Sequence, residues 1–217
     1  MIGNRKTLLF DMDGVLVDSE PQHYQGWEMV FNRLGFSIPW DIYKGCIGST
    51  LGNMFSFVEE NTGHKLNDTD SLLAEYKENL EKILKEEGVR KIPAVKRLLP
   101  LFREKGYRMA VASSSPMKEI LNTLEGAGIT DCFELLFTGE SVPRPKPAPD
   151  TFLKCAEKLG EKPENCIVIE DSRNGTLAAR RAGMYCIGIR NPGSGDQDLS
   201  AADVIIKTFD ELEDLLL

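Results

Sequence analysis

The stretch Thr7-Leu8-Leu9-Phe10-Asp11-Met12-Asp13-Gly14 joins a short apolar run to two acidic residues and a glycine. An apolar run of this length, without alternating polar positions, is typical of a strand buried on both faces. Similar runs that end on polar residues follow at 109–112 and 166–169, and two more lie at 185–189 and 204–206. The sequence therefore predicts several short parallel strands, the first of which ends at Asp11.

Helical patterns lie between these predicted strands. Each repeats apolar residues at helical spacing before a glycine: Ile120, Leu121 and Leu124 before Gly126 and Gly128, Phe152, Ala156 and Leu159 before Gly160, and Leu177, Ala178 and Ala182 before Gly183. Glycine is frequent directly after a helix. The alternation of strand and helix predicts an α/β fold, a Rossmann-like parallel sheet with helices on both faces.

The segment 18–90 interrupts this alternation, because it contains no convincing buried strand. Two amphipathic stripes run through it instead: Trp27, Val30, Phe31 and Leu34, then Leu72, Tyr76, Leu80, Ile83 and Leu84. We predict an α-helical domain inserted at 18–90 into a core formed by residues 1–17 and 91–217, with hinges near 17–20 and 87–93. The alternative is that this segment packs into the core as part of a single domain.

Composition limits the class of protein. The 217 residues carry a net charge of -8 without a basic block, which disfavours a nucleic-acid partner but not a small phosphorylated substrate. The apolar run at 7–10 is too short for a secretory signal or a membrane span, so we expect a cytoplasmic monomer without a membrane partner. The cysteines are odd in number and widely spaced, which indicates reduced, mostly buried thiols: Cys46, Cys132, Cys155, Cys166 and Cys186.

Polar residues follow three of the predicted strands. They are Asp11 and Asp13 after the first, Ser113 after the second, and Glu170 and Asp171 after the third, while Lys146 lies between two prolines before a helix. Ligands of open parallel sheets bind at the carboxyl ends of the strands, so these side chains should converge. Carboxylates packed together repel one another and require a cation, and Mg²⁺ prefers such oxygen ligands with substrate phosphate.

This set of residues suits phosphoryl transfer. A carboxylate can attack phosphorus, provided that a metal ion and a lysine offset the charge of the phosphoryl group. A second carboxyl group two residues on can protonate the leaving oxygen and later accept a proton from water. A simpler interpretation of 170–172 is that Glu-Asp-Ser caps the next helix, and capping does not conflict with metal binding.

The order Asp11-Met12-Asp13-Gly14, Ser113, Lys146 and Glu170-Asp171 resembles the four motifs of the haloacid dehalogenase superfamily over most of the chain. The segments Asp-Ser-Glu-Pro at 18–21 and Lys-Pro-Ala-Pro-Asp at 146–150 resemble its β-phosphoglucomutase-like subgroup. The resemblance implies that the insertion is a C1-type cap. An acid at position 13 favours phosphatases and mutases, because the dehalogenases, phosphonatases and transport ATPases of the superfamily lack it.

The resemblance also implies a role for each residue. Asp11 would be the nucleophile, and Asp13 the general acid/base that lends a backbone carbonyl to Mg²⁺. Ser113, with Ser114 beside it, and Lys146 would hold the phosphoryl group. Glu170 and Asp171 would complete the magnesium site. Because Ser113, Ser114 and Ser115 are consecutive, the assignment to Ser113 could be off by one position.

Three further residues are candidates for substrate contacts from the cap. His23 matches the place of a histidine in the β-phosphoglucomutases, although a lone histidine is more often structural or exposed. Ser49 lies in a cap loop, and Lys77 lies on a predicted cap helix where a solvated position is the simpler interpretation.

The leading prediction is Mg²⁺-dependent hydrolysis of a small phosphomonoester, most plausibly a sugar phosphate. The alternative is a sugar-phosphate mutase of the β-phosphoglucomutase type. These mutases use a cap arginine for the second phosphate, whereas the matching stretch 44–50 has none and places Gly48 nearest to that position. A non-catalytic metabolite-binding protein on the same fold is the third hypothesis.

Overall fold

A computed structural model describes residues 2–3, 5–47 and 51–217, apart from the side chain of Asn53. The strands are β1 (Thr7–Phe10), β2 (Arg108–Ser113), β3 (Leu135–Thr138), β4 (Cys166–Glu170), β5 (Tyr185–Ile189) and β6 (Val204–Ile206). The helices are α1 (Glu20–Arg33), α2 (Trp40–Tyr43), α3 (Leu51–Thr62), α4 (Thr69–Glu87), α5 (Pro93–Glu104), α6 (Met117–Ala127), α7 (Asp150–Lys158), α8 (Arg173–Arg181) and α9 (Glu211–Leu216).

The six strands form one parallel sheet in the order β3-β2-β1-β4-β5-β6. Strand β1 is central, and Phe10 lies opposite both Val111 of β2 and Ile169 of β4. The direction of the strand order reverses between β1 and β4, and such a switch point is the usual ligand site of an open α/β sheet. The predicted parallel α/β fold is confirmed.

Helices cover both faces of this sheet. Leu8 and Phe10 of β1 pack on one face into a cluster that includes α5, α6 and α9. Leu9 packs on the other face with residues of α7 and α8. Successive side chains of a strand point to opposite faces, so a strand covered on both sides is apolar at every position. That is why the run Thr7–Phe10 shows no alternation.

Two strands are longer than predicted and one was missed. Strands β2 and β4 each include the polar residue that follows the apolar run, Ser113 and Glu170. Strand β3 was not predicted, because it lies at the sheet edge and its apolar stretch is only Leu135-Leu136-Phe137. In the predicted helical stripes, Leu34 and Leu121 are exposed rather than buried.

Helices α1 to α4 form an insertion between β1 and β2. Their buried apolar side chains make a cluster of their own, centred on Trp27, Phe31 and Phe55 and separate from the two clusters at the sheet. The backbone N–H of Asp18 donates to the carbonyl of Arg90 at 3.0 Å, which joins the two connecting segments. The separate cluster favours an inserted helical unit over one that packs into the core.

Four of the cysteines, Cys46, Cys155, Cys166 and Cys186, are buried, and Cys132 is half-buried. Mostly buried thiols were predicted. Within the described ranges, no helix is both long and apolar enough to cross a membrane.

Candidate active site

The end of β1 fixes the position of the first acidic residue. The backbone N–H of Asp11 donates to the carbonyl of Ile169 at 3.0 Å, which continues the β1–β4 pairing one residue beyond the strand. Met12 then packs fully buried into the core. Gly14 has a φ of +79°, in the left-handed region that favours glycine, and its N–H donates to the Val17 carbonyl at 2.8 Å. This turn holds Asp11 and Asp13 at the carboxyl edge of the sheet.

Lys146 lies against the Asp11 carboxylate. Its Nζ donates to Asp11 Oδ1 at 2.5 Å, to Glu170 Oε1 at 2.9 Å and to the Ala112 carbonyl at 2.9 Å. The ammonium also lies 4.6 Å from the centre of the Phe152 ring. An ammonium group has three N–H donors, so all three are occupied and the position of Lys146 is tightly defined.

Glu170 is bound by the protein through both carboxylate oxygens. Its Oε1 accepts from Lys146, and its Oε2 accepts from the backbone N–H of Asp171 and from the N–H and hydroxyl of Ser172, at 2.8–2.9 Å. Ser172 in turn accepts from Gly175 N–H at 3.0 Å and caps α8. Glu170 therefore orients Lys146 and the start of α8, and its oxygens are committed to these partners rather than to an open metal position.

Asp171 lies beside the Gly14 turn, with 4% of its surface exposed. A Cβ atom at position 14 would overlap the Asp171 carboxylate, so glycine permits this close approach. The hydroxyl of Ser194, after β5, donates to Asp171 Oδ2. Asp171 thus faces the same cleft as Asp11. Of the two consecutive acids Glu170 and Asp171, Asp171 is the better placed to hold a cation.

Asp13 is bound by residues of both the core and the insertion. Its Oδ1 accepts from the Ser19 hydroxyl at 2.6 Å, and its Oδ2 from the Ser115 hydroxyl at 2.9 Å. Nε2 of His23 lies 3.6 Å from Oδ1, and Nδ1 of His23 lies 2.5 Å from the Tyr76 hydroxyl. Ser19 precedes α1 at the N-cap position but makes no side-chain cap bond, because its hydroxyl is directed to Asp13.

The charges of this site are unbalanced without a cation. Burial, followed by the charges of Glu170 and Asp13, raises the pKa of Asp11 to about 7, although Lys146 opposes the shift. Burial and the neighbouring Glu170 and Asp11 raise the pKa of Asp171 well above its usual range. Lys146 is the counter-ion of Asp11 and Glu170, and Asp171 lies close enough to both acids to be affected by their charges, so a divalent ion would offset the excess of negative charge when these acids are ionised.

The pair formed by Asp13 and His23 behaves differently. Burial alone would raise the pKa of Asp13, but the nearby charged His23 and the hydrogen bonds from the two serine hydroxyls outweigh it, so the pKa is lowered. Burial would lower the pKa of His23, but Asp13 and then Glu20 and Glu119 raise it to about 9. His23 is therefore an imidazolium at neutral pH, with Asp13 as its counter-ion.

A cleft of about 400 Å³ joins these groups. His23 of the insertion lines it. So does every site residue that was predicted in the α/β domain: Asp11, Asp13, Ser113, Ser114, Lys146, Glu170 and Asp171. Lys77 does not line this cleft. It is exposed and borders a groove between α4 and α6, so its predicted contact with substrate finds no support. Ser49 and Gly48 lie outside the described residues.

Sequence reasoning missed several residues of the cleft. Ser115, rather than Ser113, donates to Asp13, while the buried Ser113 hydroxyl accepts from the Ser115 N–H at 3.0 Å. The serine triplet left open a neighbouring serine as the phosphate contact, but it did not predict the bond from Ser115 to Asp13. Ser194 and Tyr76 gave no signal, because their partners are 23 and 53 residues away in sequence. Glu20 also lines the cleft, and burial followed by the charges of Asp13 and Asp18 raises its pKa to about 7 against the effect of His23.

The fit to a divalent metal ion follows from this chemistry. Among the described residues, no group of three or more His, Cys, Asp or Glu side chains is placed so that it could hold a metal ion by itself. Mg²⁺ does not need such a group, since it usually binds one or two carboxylates, waters and substrate phosphate. Asp11 and Asp171, both with raised pKa values, supply two such carboxylates beside the Gly14 turn. The residues therefore fit a divalent ion shared with a phosphate.

Comparison with known proteins gives consistent matches. The family model described as haloacid dehalogenase-like hydrolase matches residues 8–189. Fructose-1-phosphate phosphatase YqaB of Escherichia coli (strain K12) is 31% identical over 183 residues, covering 84% of this chain and 95% of the relative. Hexitol phosphatase B of the same organism is 31% identical over 219 aligned positions, covering 96% and 95%.

A solved structure from Thermotoga maritima, provisionally described as a β-phosphoglucomutase, has a TM-score of 0.78 and 26% identity. The match covers 97% of this chain and 98% of that one.

Proposed function

The chain belongs to the haloacid dehalogenase-like hydrolases. Because the two relatives compared above are named phosphatases, we propose that it hydrolyses a small phosphomonoester, specifically a sugar phosphate, with Asp11 as the nucleophile. One observation carries this proposal. The Asp11 carboxylate is fixed against the Lys146 ammonium at 2.5 Å, and Asp13 is held two residues on in the same cleft. A nucleophile, a cation and an acid/base group are thus brought together where a phosphate would bind.

The reaction follows from these positions. A carboxylate oxygen of Asp11 attacks phosphorus, and the bond between phosphorus and the ester oxygen breaks as the aspartyl-phosphate forms. The leaving oxygen takes a proton from Asp13, and the alcohol departs. Water then attacks the phosphorus, Asp13 accepts a proton from it, and the bond from phosphorus to Asp11 breaks to release phosphate.

The proton for the leaving group is stored beside Asp13. His23 holds it in the free protein, since the pKa of His23 is about 9 and that of Asp13 is lowered. Nε2 of His23 faces Asp13 Oδ1 at 3.6 Å, so a small shift of α1 would bring the two within hydrogen-bond distance. The serine hydroxyls of Ser19 and Ser115 keep the Asp13 carboxyl directed into the cleft.

Proteins of this family generally use a divalent metal ion, and Mg²⁺ is our proposal here. Bound in the cleft, it would neutralise the charge between Asp11 and the transferring phosphoryl group. Asp11, Asp171 and the backbone carbonyl of Asp13 are the groups proposed to hold it. Glu170 is proposed to act indirectly, by orienting Lys146, and Ser113 and Ser114 are proposed to contact the phosphate.

We propose that residues 18–90 form a cap that closes over the site. Its own apolar cluster lets it move as a unit, and it places Glu20 and His23 against the cleft. Near the connecting segments, Gln22 Nε2 donates to the Gly88 carbonyl at 2.8 Å and Asp18 N–H donates to the Arg90 carbonyl. These bonds support the proposal that the hinges lie near residues 17–20 and 87–93.

Phosphate-release assays test the proposal. The panel should include fructose 1-phosphate and hexitol phosphates, because two relatives bear the names of fructose-1-phosphate and hexitol phosphatases. We expect release that requires added Mg²⁺, stops with a chelator and is lost in the isosteric variant Asp11→Asn. Absence of metal-dependent release from every member of the panel, with folded protein, would contradict the proposal.

The second candidate function is a sugar-phosphate mutase, which the similarity to the structure from Thermotoga maritima favours. A mutase would convert β-glucose 1-phosphate into glucose 6-phosphate, with stimulation by a bisphosphate and little free phosphate. Free phosphate in proportion to substrate consumed would instead support the phosphatase.

A further inference from the structure

A second cavity of about 210 Å³ opens from the catalytic cleft into the insertion. Its walls are mainly apolar and aromatic, with Trp27, Tyr43, Met54 and Tyr76 among them. Glu20, His23 and Ile47 line both cavities, and Glu20 starts helix α1 at this junction. A substrate whose phosphate lies at Asp11 would therefore place its alcohol part beside Glu20.

We propose that Glu20 is a specificity-determining residue, which accepts hydrogen bonds from the hydroxyl groups of an uncharged polyol and rejects alcohols that carry a second anionic group. The inference rests on the proposed phosphatase function and specifies the substrate class of the same site.

The Glu20 carboxylate has no recorded hydrogen-bond or ion-pair partner among the described residues. Apart from Glu140, which is exposed, the other acids of the cleft are engaged: Asp11 by Lys146, Asp13 by two serines, Asp171 by Ser194 and Glu170 through both oxygens. A half-buried carboxylate without donors is unfavourable, and hydroxyl groups of a bound polyol would satisfy it.

The positively charged side chains at the two cavities are already paired with acids of the protein. Among the described residues that line the two cavities, only Lys146 and His23 have cationic side chains. Lys146 is committed to Asp11 and Glu170, and His23 to Asp13. Residues 48–50 add no cation, because their sequence is Gly-Ser-Thr. A second phosphate or a carboxylate on the substrate would thus enter without a counter-charge and face Glu20, which is repulsive in a partly dehydrated cavity.

The walls of the second cavity are largely apolar and aromatic. Trp27 stacks on Tyr76 with ring centres 4.3 Å apart, so part of the wall of the second cavity is a rigid aromatic surface. Sites for small molecules typically combine apolar and aromatic walls with a few well-placed polar groups. The carbon skeleton of a polyol can lie on these rings while its hydroxyl groups reach Glu20.

A matched pair of substrates tests the proposal. Glucitol 6-phosphate and 6-phosphogluconate share a six-carbon skeleton and differ in whether the far end is a neutral alcohol or a carboxylate. The assay measures the ratio of their kcat/KM values at pH 8, above the pKa of about 7 that burial gives Glu20. For the wild-type protein we expect a preference of about tenfold or more for glucitol 6-phosphate.

The variant Glu20→Gln keeps the size of the side chain but removes its charge. We expect it to reduce the preference ratio about fivefold or more. The ratio is taken within each protein, so a general loss of activity cancels. Glu78→Gln is the matched control, because Glu78 is exposed on α4 and does not line either cavity, and its ratio should equal that of the wild type.

An unchanged ratio in Glu20→Gln, or equal activity of the wild type on both substrates, would overturn this inference while leaving the phosphatase function intact. A wild-type protein that hydrolyses neither substrate nor p-nitrophenyl phosphate would overturn the phosphatase function and, with it, this inference.

Discussion

At the scale of single residues, the environment of Asp13 separates it from Asp11. Asp11 is held by a buried ammonium, whereas Asp13 is held by two hydroxyl groups and the imidazolium of His23. An imidazolium can exchange a proton with a carboxyl group near neutral pH, and a lysine whose pKa is raised does so far less readily. The two acids, two residues apart, are therefore suited to different parts of one reaction.

Asp13→Asn should slow hydrolysis of an alkyl phosphate about 10²–10⁴-fold, because the leaving alkoxide then lacks its proton donor. The loss should be much smaller on p-nitrophenyl phosphate, since that leaving group departs without protonation. Steady-state rates on both substrates provide the measurement, with Asp70→Asn at the exposed start of α4 as control. Equal losses on the two substrates would rule out Asp13 as the general acid.

The sequence was sufficient to identify the site residues at the ends of strands, together with Lys146 in the loop before α7. Asp11, Asp13, Ser113, Lys146, Glu170 and Asp171 were all predicted to converge, and all of them line one cleft. It could not identify Glu20 or Tyr76, because their contacts depend on how the insertion docks over the sheet. The resemblance assigned both Glu170 and Asp171 to the magnesium site, with Asp171 as the surer ligand, and the structure adds that Glu170 is occupied by Lys146 and Ser172.

At the scale of elements, the junction of β4 and α8 keeps Lys146 in place. Glu170 ends β4, and α8 starts close enough for Gly175 to pack directly on the Glu170 carboxylate. A Cβ atom at position 175 would overlap that carboxylate, so the glycine is required for the close approach rather than for a turn.

Gly175→Ala should therefore displace Glu170, release Lys146 and lower kcat about tenfold or more, with a cost of about 1–3 kcal/mol in the free energy of unfolding. Activity assays and urea unfolding provide the measurement. Gly52→Ala is the matched control, because α3 leaves open space around Gly52, and alanine there should raise stability by up to about 1 kcal/mol. Wild-type turnover in Gly175→Ala would contradict the role given to Glu170.

The elements of this fold differ in how much their sequence reveals. Central strands such as β1 and β4 are apolar on both faces and are easily recognised in the sequence. Strand β3 at the edge has only three apolar residues before Thr138, and the first two of them are half-buried. Helix α1 was recognised by its stripe, but the direction of Ser19 toward Asp13 instead of the helix end was not, because it depends on the tertiary contact.

At the scale of the whole molecule, pH and metal binding should act on stability together. The pKa of Asp11 is raised from 3.8 to about 7 in the fold, so its protonated form stabilises the metal-free protein, and this contribution is lost as the pH rises through 7. Asp171 shifts in the same direction, and the raised pKa of His23 also favours the fold below pH 9. Metal-free protein should thus melt at a lower temperature at pH 8 than at pH 6.

Added Mg²⁺ should raise the melting temperature more at pH 8 than at pH 6, because it binds the ionised carboxylates. For a chain of this size, about 1 kcal/mol corresponds to roughly 2–4 °C. Thermal melts at both pH values, with and without Mg²⁺, give the comparison, and Asp11→Asn should reduce the difference. An equal effect of Mg²⁺ at the two pH values would argue against Asp11 as a ligand.

The organisation of the chain explains why its chemistry could be predicted more fully than its substrate. The sheet edge collects residues from β1, β2, β4 and the loop containing Lys146, and parallel strands fix that convergence. The insertion places Glu20 and His23 over this edge through contacts that no local sequence pattern encodes. Specificity is therefore a property of the docked molecule as a whole.

The central claim is that Asp11 becomes phosphorylated during turnover. Borohydride reduces an acyl-phosphate to an alcohol, so protein quenched during hydrolysis and then treated with borohydride should contain homoserine in place of Asp11, detected by peptide mass spectrometry. The modification should require substrate and Mg²⁺ and be absent in Asp11→Asn. Active turnover without homoserine at position 11, or with the reduced residue elsewhere, would contradict the mechanism.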